Sequence, residues 1–252
     1  MKATLVIIIL TGIVLAACSP VPKSEGTSQV QPTSAPVNCG QGNSSEIPAE
    51  IASELEDLGF CLDSGEIGWV QPNPIELLND GTGNTSGTVS WYAGITAPDP
   101  VFQDYILGVD IDWGNYSDDN LGGCGIFLRI TEDGSEGVAF YTNFLSPHYW
   151  DLEHWNSEGI VGSLLKDQGS PFQAGIFSED IHEGTNHYDL VVIDNTVLVY
   201  VNGSPIKRLG GNEVGQEFIP DELIEGTLAY FARQDLGTIT CTFRDGWVWR
   251  LK

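Results

Sequence analysis

The sequence is short of positive charge. Ten Lys+Arg stand against 35 Asp+Glu, for a formal net charge of -25 and a pI near 4.1. Nucleic acid and anionic lipid headgroups both need a basic footprint, so neither is an expected partner of the folded chain. The chain has one Met and four His. No two of its five cysteines show the Cys-x₂₋₄-Cys spacing of a zinc site. There is no Gly-x-Ser-x-Gly, no phosphate-binding loop and no dinucleotide fingerprint, which removes serine-hydrolase and nucleotide readings. His182-Glu-Gly-Thr-Asn-His187 misses the zinc-protease pattern, because histidines five apart do not share a helical face. What is present is 41% hydrophobic residues and 10% aromatics, enough for a sizeable core, punctuated by 30 Gly and 13 Pro that favour turns over long helices.

The first residues read as an address. Lys2 precedes an apolar run from Ala3 to Ala17. Fifteen residues is short of the ~20 that a membrane span needs, but suits the apolar region of an export signal. The run ends in Leu15-Ala16-Ala17-Cys18: small residues fit a peptidase cleft, and the thiol after them is a nucleophile for acyl transfer. This segment resembles the bacterial lipoprotein signal. That resemblance implies cleavage after residue 17, lipidation of Cys18, and attachment of an exported protein to a lipid bilayer through acyl chains. Residues 18–45, rich in Ser, Pro, Gly, Gln and Thr, read as a flexible linker.

Export implies an oxidising environment, and the four remaining cysteines, Cys39, Cys61, Cys124 and Cys241, imply two disulfides. Three pairings exist. Alternation puts Cys124 on one face with Ile126, Leu128 and Ile130, and Cys241 on one face with Ile239 and Phe243, so both thiols are expected to point into a core. This favours Cys124–Cys241 and leaves Cys39–Cys61.

Residues 46–252 are expected to form the folded domain. Ile47, Ile51, Leu55 and Leu58 fall on one helical face, with Pro48 in the first turn and Gly59 as the stop. From about Gly87 onward the texture is of strands: 88–93, 105–113, 125–131, 138–143, 188–193, 196–201, 227–231 and 238–251 are rich in β-branched and aromatic residues. Asp194-Asn195 and Asn202-Gly203 read as two-residue hairpin turns. Many strands with one short helix predict an all-β fold, a two-sheet antiparallel sandwich with a short N-terminal helix.

Four segments carry a further likeness: Gly123-Cys-Gly-Ile-Phe-Leu-Arg129, the hairpin from His187 to Gly203, Gly226-Thr-Leu-Ala-Tyr-Phe231, and Cys241-Thr-Phe-Arg-Asp-Gly-Trp-Val-Trp-Arg250. Together they resemble the concanavalin A-like lectin/glucanase superfamily, and within it the laminin-G-like and 3-keto-disaccharide-hydrolase-like jelly rolls. The resemblance spans roughly residues 86–252. It implies a jelly roll with its site on a concave sheet and the rim loops, and says more of fold than of function.

Three constellations are candidates for chemistry. Ser146-Pro-His-Tyr-Trp-Asp-Leu-Glu-His-Trp-Asn156 reads as an aromatic loop. Sugar rings stack on flat aromatic faces while fixed polar groups bind their hydroxyls. Tyr149, Trp150 and Trp155 are the candidate platforms; His148, Asp151, Glu153 and His154 are the candidate polar partners. The competing reading is that these aromatics cap the core. Arg129, an isolated base among acids, suits bidentate ligand contact, against an internal ion pair with Asp110 or Asp112. Asp110, Asp112, Asp118, Asp119 and Asn120 crowd one strand and its following loop; the oxygen density suits calcium, although the EF-hand template fails, and a solvated acidic loop is the alternative.

The leading functional expectation is a lipid-anchored surface module that binds carbohydrate or another extracellular ligand without catalysis. A glycoside hydrolase of the same fold is the alternative, with Asp151, Glu153 and Glu183 as its carboxyls. The glucanase string Glu-x-Asp-x-(x)-Glu is absent, however, and Asp151 and Glu153 alternate without a third partner. A structural envelope protein is the third expectation.

Overall fold

β-branched and aromatic residues at every second position need two apolar layers to cover them, and the chain forms two. The computed structural model describes residues 47–80, 88–92, 101–114, 121–142, 149–157, 159–164, 176–206, 217–218, 220 and 223–252. Cys18, the 18–45 linker and Cys39 lie outside the described residues, as do His148, Asp118, Asp119 and Asn120.

In chain order the elements are α1 (Ala49–Asp57), β1 (Gly65–Val70), β2 (Ile75–Asn79), β3 (Thr88–Tyr92), β4 (Tyr105–Trp113), β5 (Leu121–Ile130), β6 (Glu136–Thr142), β7 (Tyr149–Asn156) and β8 (Gly159–Ser163). There follow β9 (Ile176–Phe177), β10 (Thr185–Ile193), β11 (Thr196–Val201), β12 (Ser204–Pro205), β13 (Glu217–Phe218), β14 (Thr227–Leu236) and β15 (Ile239–Leu251). The first sheet runs β1-β15-β4-β10-β11-β12, with β2 on β15 and β13 on β11; the second runs β3-β14-β5-β6-β7-β8, with β9 on β7. The pairings are antiparallel. The expected two-sheet sandwich is the observed architecture.

Between the layers lies the main core, which includes Leu107, Val109, Ile126, Leu128, Phe140, Trp150, Leu152, Leu190, Tyr230 and Phe243. Tyr230 and Phe243 stack across it, with ring centroids 4.3 Å apart and planes 9° apart. Cys124 on β5 and Cys241 on β15 are bonded as expected, with Cα atoms 5.5 Å apart. The bond joins one sheet to the other. Cys61 is also disulfide-bonded. Both hairpin turns form: Asp194 and Asn202 sit at φ 52° and 50°, the left-handed region that two-residue hairpins of this kind require.

α1 packs on the outer face of the first sheet. Ile51 and Leu55 meet Ile106, Val191, Trp247 and Trp249 there. It is shorter than the sequence periodicity predicts, and Pro48 occupies the N-cap position rather than the first turn. Its end is a Schellman turn: Gly59 at φ 86° donates to Glu56 O, and the Phe60 N–H reaches back to Leu55 O at 2.8 Å. The two tryptophans reach this face because of a bulge. Pairing of β15 with β4 slips by one residue between Arg244 and Trp247, with Asp245 at φ 52°. Simple alternation from Cys241 and Phe243 would send Trp247 inward; the extra residue turns it outward. Gly108 makes room for it, since a Cβ there would lie 2.3 Å from the Trp247 indole.

The helix is also tied electrostatically. Trp247 Nε1 donates to Glu54 Oε2 at 3.1 Å. His187 on β10 donates from Nδ1 to Asp110 Oδ1 at 2.6 Å, and its Nε2 faces both Glu54 Oε1 and Asp189 Oδ1, the latter at 3.3 Å. Burial opposes charge on this imidazole, but hydrogen bonds to Asp189 and Glu54 overcome it and push it up to about 11.

Candidate functional site

The outer face of the second sheet gathers most of the residues that sequence reasoning marked. The stretch read as an aromatic loop is in fact strand β7, paired with β6 from Glu136↔Asn156 to Thr142↔Trp150. Alternation then divides its side chains. Trp150 and Leu152 point into the core and Asp151, Glu153 and Trp155 point outward. Trp150 is 0% exposed and packs against Phe140, so it is core and not a platform for ligand. Tyr149 is half-buried at the start of the strand.

Glu153 is the hub of the outer face. Tyr141 Oη donates to its Oε1 at 2.9 Å, and Trp155 Nε1 donates to its Oε2 at 3.0 Å. Arg233 Nη1 stands 3.8 Å from Oε2 and donates to Tyr141 Oη at 3.2 Å. The guanidinium is held from behind by Asp235, with Nε 3.1 Å from Oδ2. It lies 5.8 Å from the centre of the Tyr141 ring and 6.0 Å from that of Trp155. Burial raises the Glu153 carboxyl, while Arg233, Tyr141 and Trp155 draw it back down. The same burial, with Glu153 beside it, raises the Tyr141 hydroxyl.

Asp151, two residues along on the same face, is 1% exposed. Its Oδ1 accepts from the Leu152 N–H at 2.8 Å and from Ser163 Oγ at 2.6 Å. These bonds stabilise the charged form, yet burial and then the neighbouring Glu153 charge push the carboxyl up to about 7.

Beside this network is an apolar platform of Phe127, Ile130, Ala139, Tyr141, Ala229 and Phe231, with Trp155 packed against it. Phe127 meets Trp155 edge-on, centroids 5.9 Å apart at 83°. At the sheet's rim the platform borders a recess of about 230 Å³, lined by Phe127, Ile130, Gly134, Ser135, Glu136, Gly137, Trp155, Asn156 and Ser157. Trp155 is half-buried, so its ring is both fixed and reachable. His154, on the opposite side of the strand, pairs with Glu136 Oε1 at 2.7 Å.

Other expected residues lie elsewhere. Arg129 is 0% exposed and takes no part in the recess. A one-residue slip in β5 between Phe127 and Arg129 breaks the alternation, leaving Ile130 on the outer platform rather than on the Cys124 face. The guanidinium donates to Leu223 O at 2.8 Å and Gln103 O at 2.6 Å, and its carboxylate neighbour is Asp104 at 3.9 Å, not Asp110 or Asp112. Asp110 is engaged by His187, and Asp112 lies 3.5 Å from Arg244. The two described members of the expected calcium set therefore serve separate side chains. Glu183 is exposed in the approach to β10, in the other sheet from Asp151 and Glu153. Sequence reasoning missed Tyr141 and Arg233, which reach Glu153 from β6 and β14 across the sheet, and Asp235, which holds Arg233. Their signal was present as alternation in 138–142 and 227–235, but which strands neighbour each other is not written in either segment.

No family model matches the chain, and no curated protein matches it by sequence. Solved structures with a distant likeness include the carbohydrate binding module CBM66 from Bacillus subtilis, at TM-score 0.43 and 12% identity over 73% of this chain and 96% of that one. A protein of unknown function with a galectin-like fold, also from Bacillus subtilis, gives TM-score 0.43 and 12% identity over 74% of this chain and 97% of that one. A fructosyltransferase from A. japonicus gives TM-score 0.43 and 14% identity over 76% of this chain, which spans 27% of that one.

Proposed function

We propose that the chain is a carbohydrate-binding module displayed outside the cell on a lipid anchor at Cys18, and that its sugar site is the Trp155 recess at the rim of the second sheet. The observation that carries the reading is the Trp155 ring itself. It is fixed by a hydrogen bond to Glu153 and an edge contact with Phe127, and lines a recess together with Ser135, Asn156 and Ser157. An indole held in one orientation offers its face to the C–H side of a pyranose at little entropic cost, and the polar residues of the lining suit hydroxyls. The Tyr141–Glu153–Arg233 network behind it holds the geometry. Membership of the concanavalin A-like superfamily is part of the same proposal, and the likeness of segments 123–129, 187–203, 226–231 and 241–250 supports it. The cross-sheet disulfide supports an oxidising, exported setting.

Affinity electrophoresis and a glycan array with the chain from Cys18 onward test the reading. A retained glycan whose binding falls at least tenfold in Trp155→Ala supports it. Absence of any retained glycan, or binding indifferent to Trp155→Ala, refutes it. Labelled fatty acid incorporated into the wild type and not into Cys18→Ala tests the anchor separately.

A second reading, two-carboxylate glycoside hydrolysis, is favoured by Asp151 and Glu153 sharing one strand face in unlike environments. It requires turnover of a glycoside that Glu153→Gln abolishes; binding without turnover in the wild type leaves the binding module alone.

A further inference from the structure

On the opposite sheet from the sugar recess, three donor groups from two elements converge. Strand alternation puts His187 and Asp189 on one outward face of β10, and antiparallel register sets Asp110 of β4 opposite His187. α1 lies over this face and brings Glu54 down to it. The ligand atoms of Glu54, His187 and Asp189 all lie within 4.8 Å of one another.

The imidazole is oriented for the task. Its Nδ1 is taken by Asp110 at 2.6 Å, which leaves Nε2 as the atom turned toward the other two carboxylates. A carboxylate on one imidazole nitrogen and metal on the other is the usual outer-shell arrangement of a metal-bound histidine. Asp189 is 2% exposed, while Glu54 and His187 are partly exposed, so the group is sheltered but reachable. Among the described residues, the cation that meets Glu54, Asp110 and Asp189 is the one imidazole. Arg244, in register with Asp110, is turned to Asp112 at 3.5 Å, so the three carboxylates share one imidazole and leave a local excess of negative charge that a divalent ion neutralises. A cleft of about 390 Å³ opens beside the group, between α1 and the sheet, lined in part by Glu50, Ser53, Asp57 and Tyr200. One imidazole nitrogen and two carboxylate oxygens, with an open side, form a borderline-soft donor set suited to zinc-class ions rather than to calcium, which takes six to eight oxygens.

We propose that Glu54, His187 and Asp189 bind one zinc-class divalent ion, with Asp110 orienting the imidazole, and that the ion clamps α1 to the first sheet. The site is independent of the sugar recess, so either can fail without the other.

Zinc titrated into the chelator-treated chain against a chromophoric zinc indicator, with calorimetry for stoichiometry, tests the proposal. One ion per chain with micromolar or tighter affinity is expected. Asp189→Asn and His187→Gln should weaken it at least 100-fold. Asp110→Asn, which keeps the shape and loses the outer-shell charge, should weaken it about 10–100-fold. Zinc should raise the melting temperature of the wild type and not of Asp189→Asn, and calcium should do neither. Far-UV circular dichroism establishes that each variant is folded; if His187→Gln is not, Asp110→Asn and Glu54→Gln carry the test. Less than one ion per five chains, or equal affinity in wild type and Asp189→Asn, overturns the proposal and leaves a protonated His187 as the link between helix and sheet.

Discussion

The Asp151 carboxyl makes a sharp prediction about stability against pH. An acid whose value rises on folding binds its proton more tightly in the native state than in the unfolded one. Native structure therefore bears a penalty that is absent below the unfolded value of 3.8 and complete above about 7. At 1.36 kcal/mol per pH unit, that penalty approaches about 4 kcal/mol. Asp151 is 1% exposed, so solvent screening does little to reduce it. Asp151→Asn keeps an acceptor oxygen for the Leu152 N–H and Ser163 Oγ and removes the charge. The variant should match the wild type to within about 1 kcal/mol near pH 4 and exceed it by roughly 3–4 kcal/mol at pH 8. In urea, monitored by tryptophan fluorescence, that is a gain in midpoint of roughly 1 M at pH 8 and little at pH 4. The difference between the two proteins cancels every titration that is not coupled to Asp151, which leaves Glu153 as the neighbour whose titration moves with it. A midpoint difference that is constant from pH 4 to pH 8, or a wild type more stable than the variant at pH 8, would refute the reasoning. A gain of this size would also mean that a charge is kept on this face against the interest of stability, as groups retained for a ligand are.

Two further predictions follow from the fold. Cys124→Ala/Cys241→Ala opens a loop of 117 residues between the two sheets, and the chain-entropy model gives a loss of about 4–5 kcal/mol, measured as a lower urea midpoint; a loss under about 1 kcal/mol would show the sheets held without the bond. Gly108→Ala places a methyl 2.3 Å from the Trp247 ring, and should cost about 1–3 kcal/mol in urea while quenching or shifting tryptophan emission, with unchanged stability counting against the close approach.

The fold was legible where local pattern and global fold agree. The hairpins at Asp194-Asn195 and Asn202-Gly203, the paired Cys124 and Cys241, and the apolar face of α1 all follow from periods and turn chemistry within a few residues. Illegibility set in wherever one extra residue breaks the period. The slip in β5 after Phe127 sends Ile130 outward and buries Arg129, and the slip in β15 before Trp247 sends two tryptophans to the helix; neither leaves a mark that alternation can read in advance. β7 was missed for a different reason. Pro147 before it and charges at 151, 153 and 154 look like a loop, because the outward side of this strand is polar and ionised.

That misreading carries information about function. A strand whose outward face holds two acids, Asp151 and Glu153, at 1% and 6% exposure conflicts with the rule that such positions favour β-branched or aromatic residues. Sequences satisfy local preference almost everywhere, and depart from it where something other than stability is selected. Here the departure is answered from across the sheet: Arg233 supplies the charge, and Tyr141 and Trp155 supply donors, all aimed at Glu153. The answer is incomplete at Asp151, whose described partners are a backbone N–H and the Ser163 hydroxyl. The residue most at odds with its strand is thus the one least compensated. If the face serves a ligand, saturating glycan should alter the pH dependence of wild-type stability and leave that of Asp151→Asn in place; identical shifts in both proteins would detach Asp151 from binding and leave Trp155 and its recess to account for it alone.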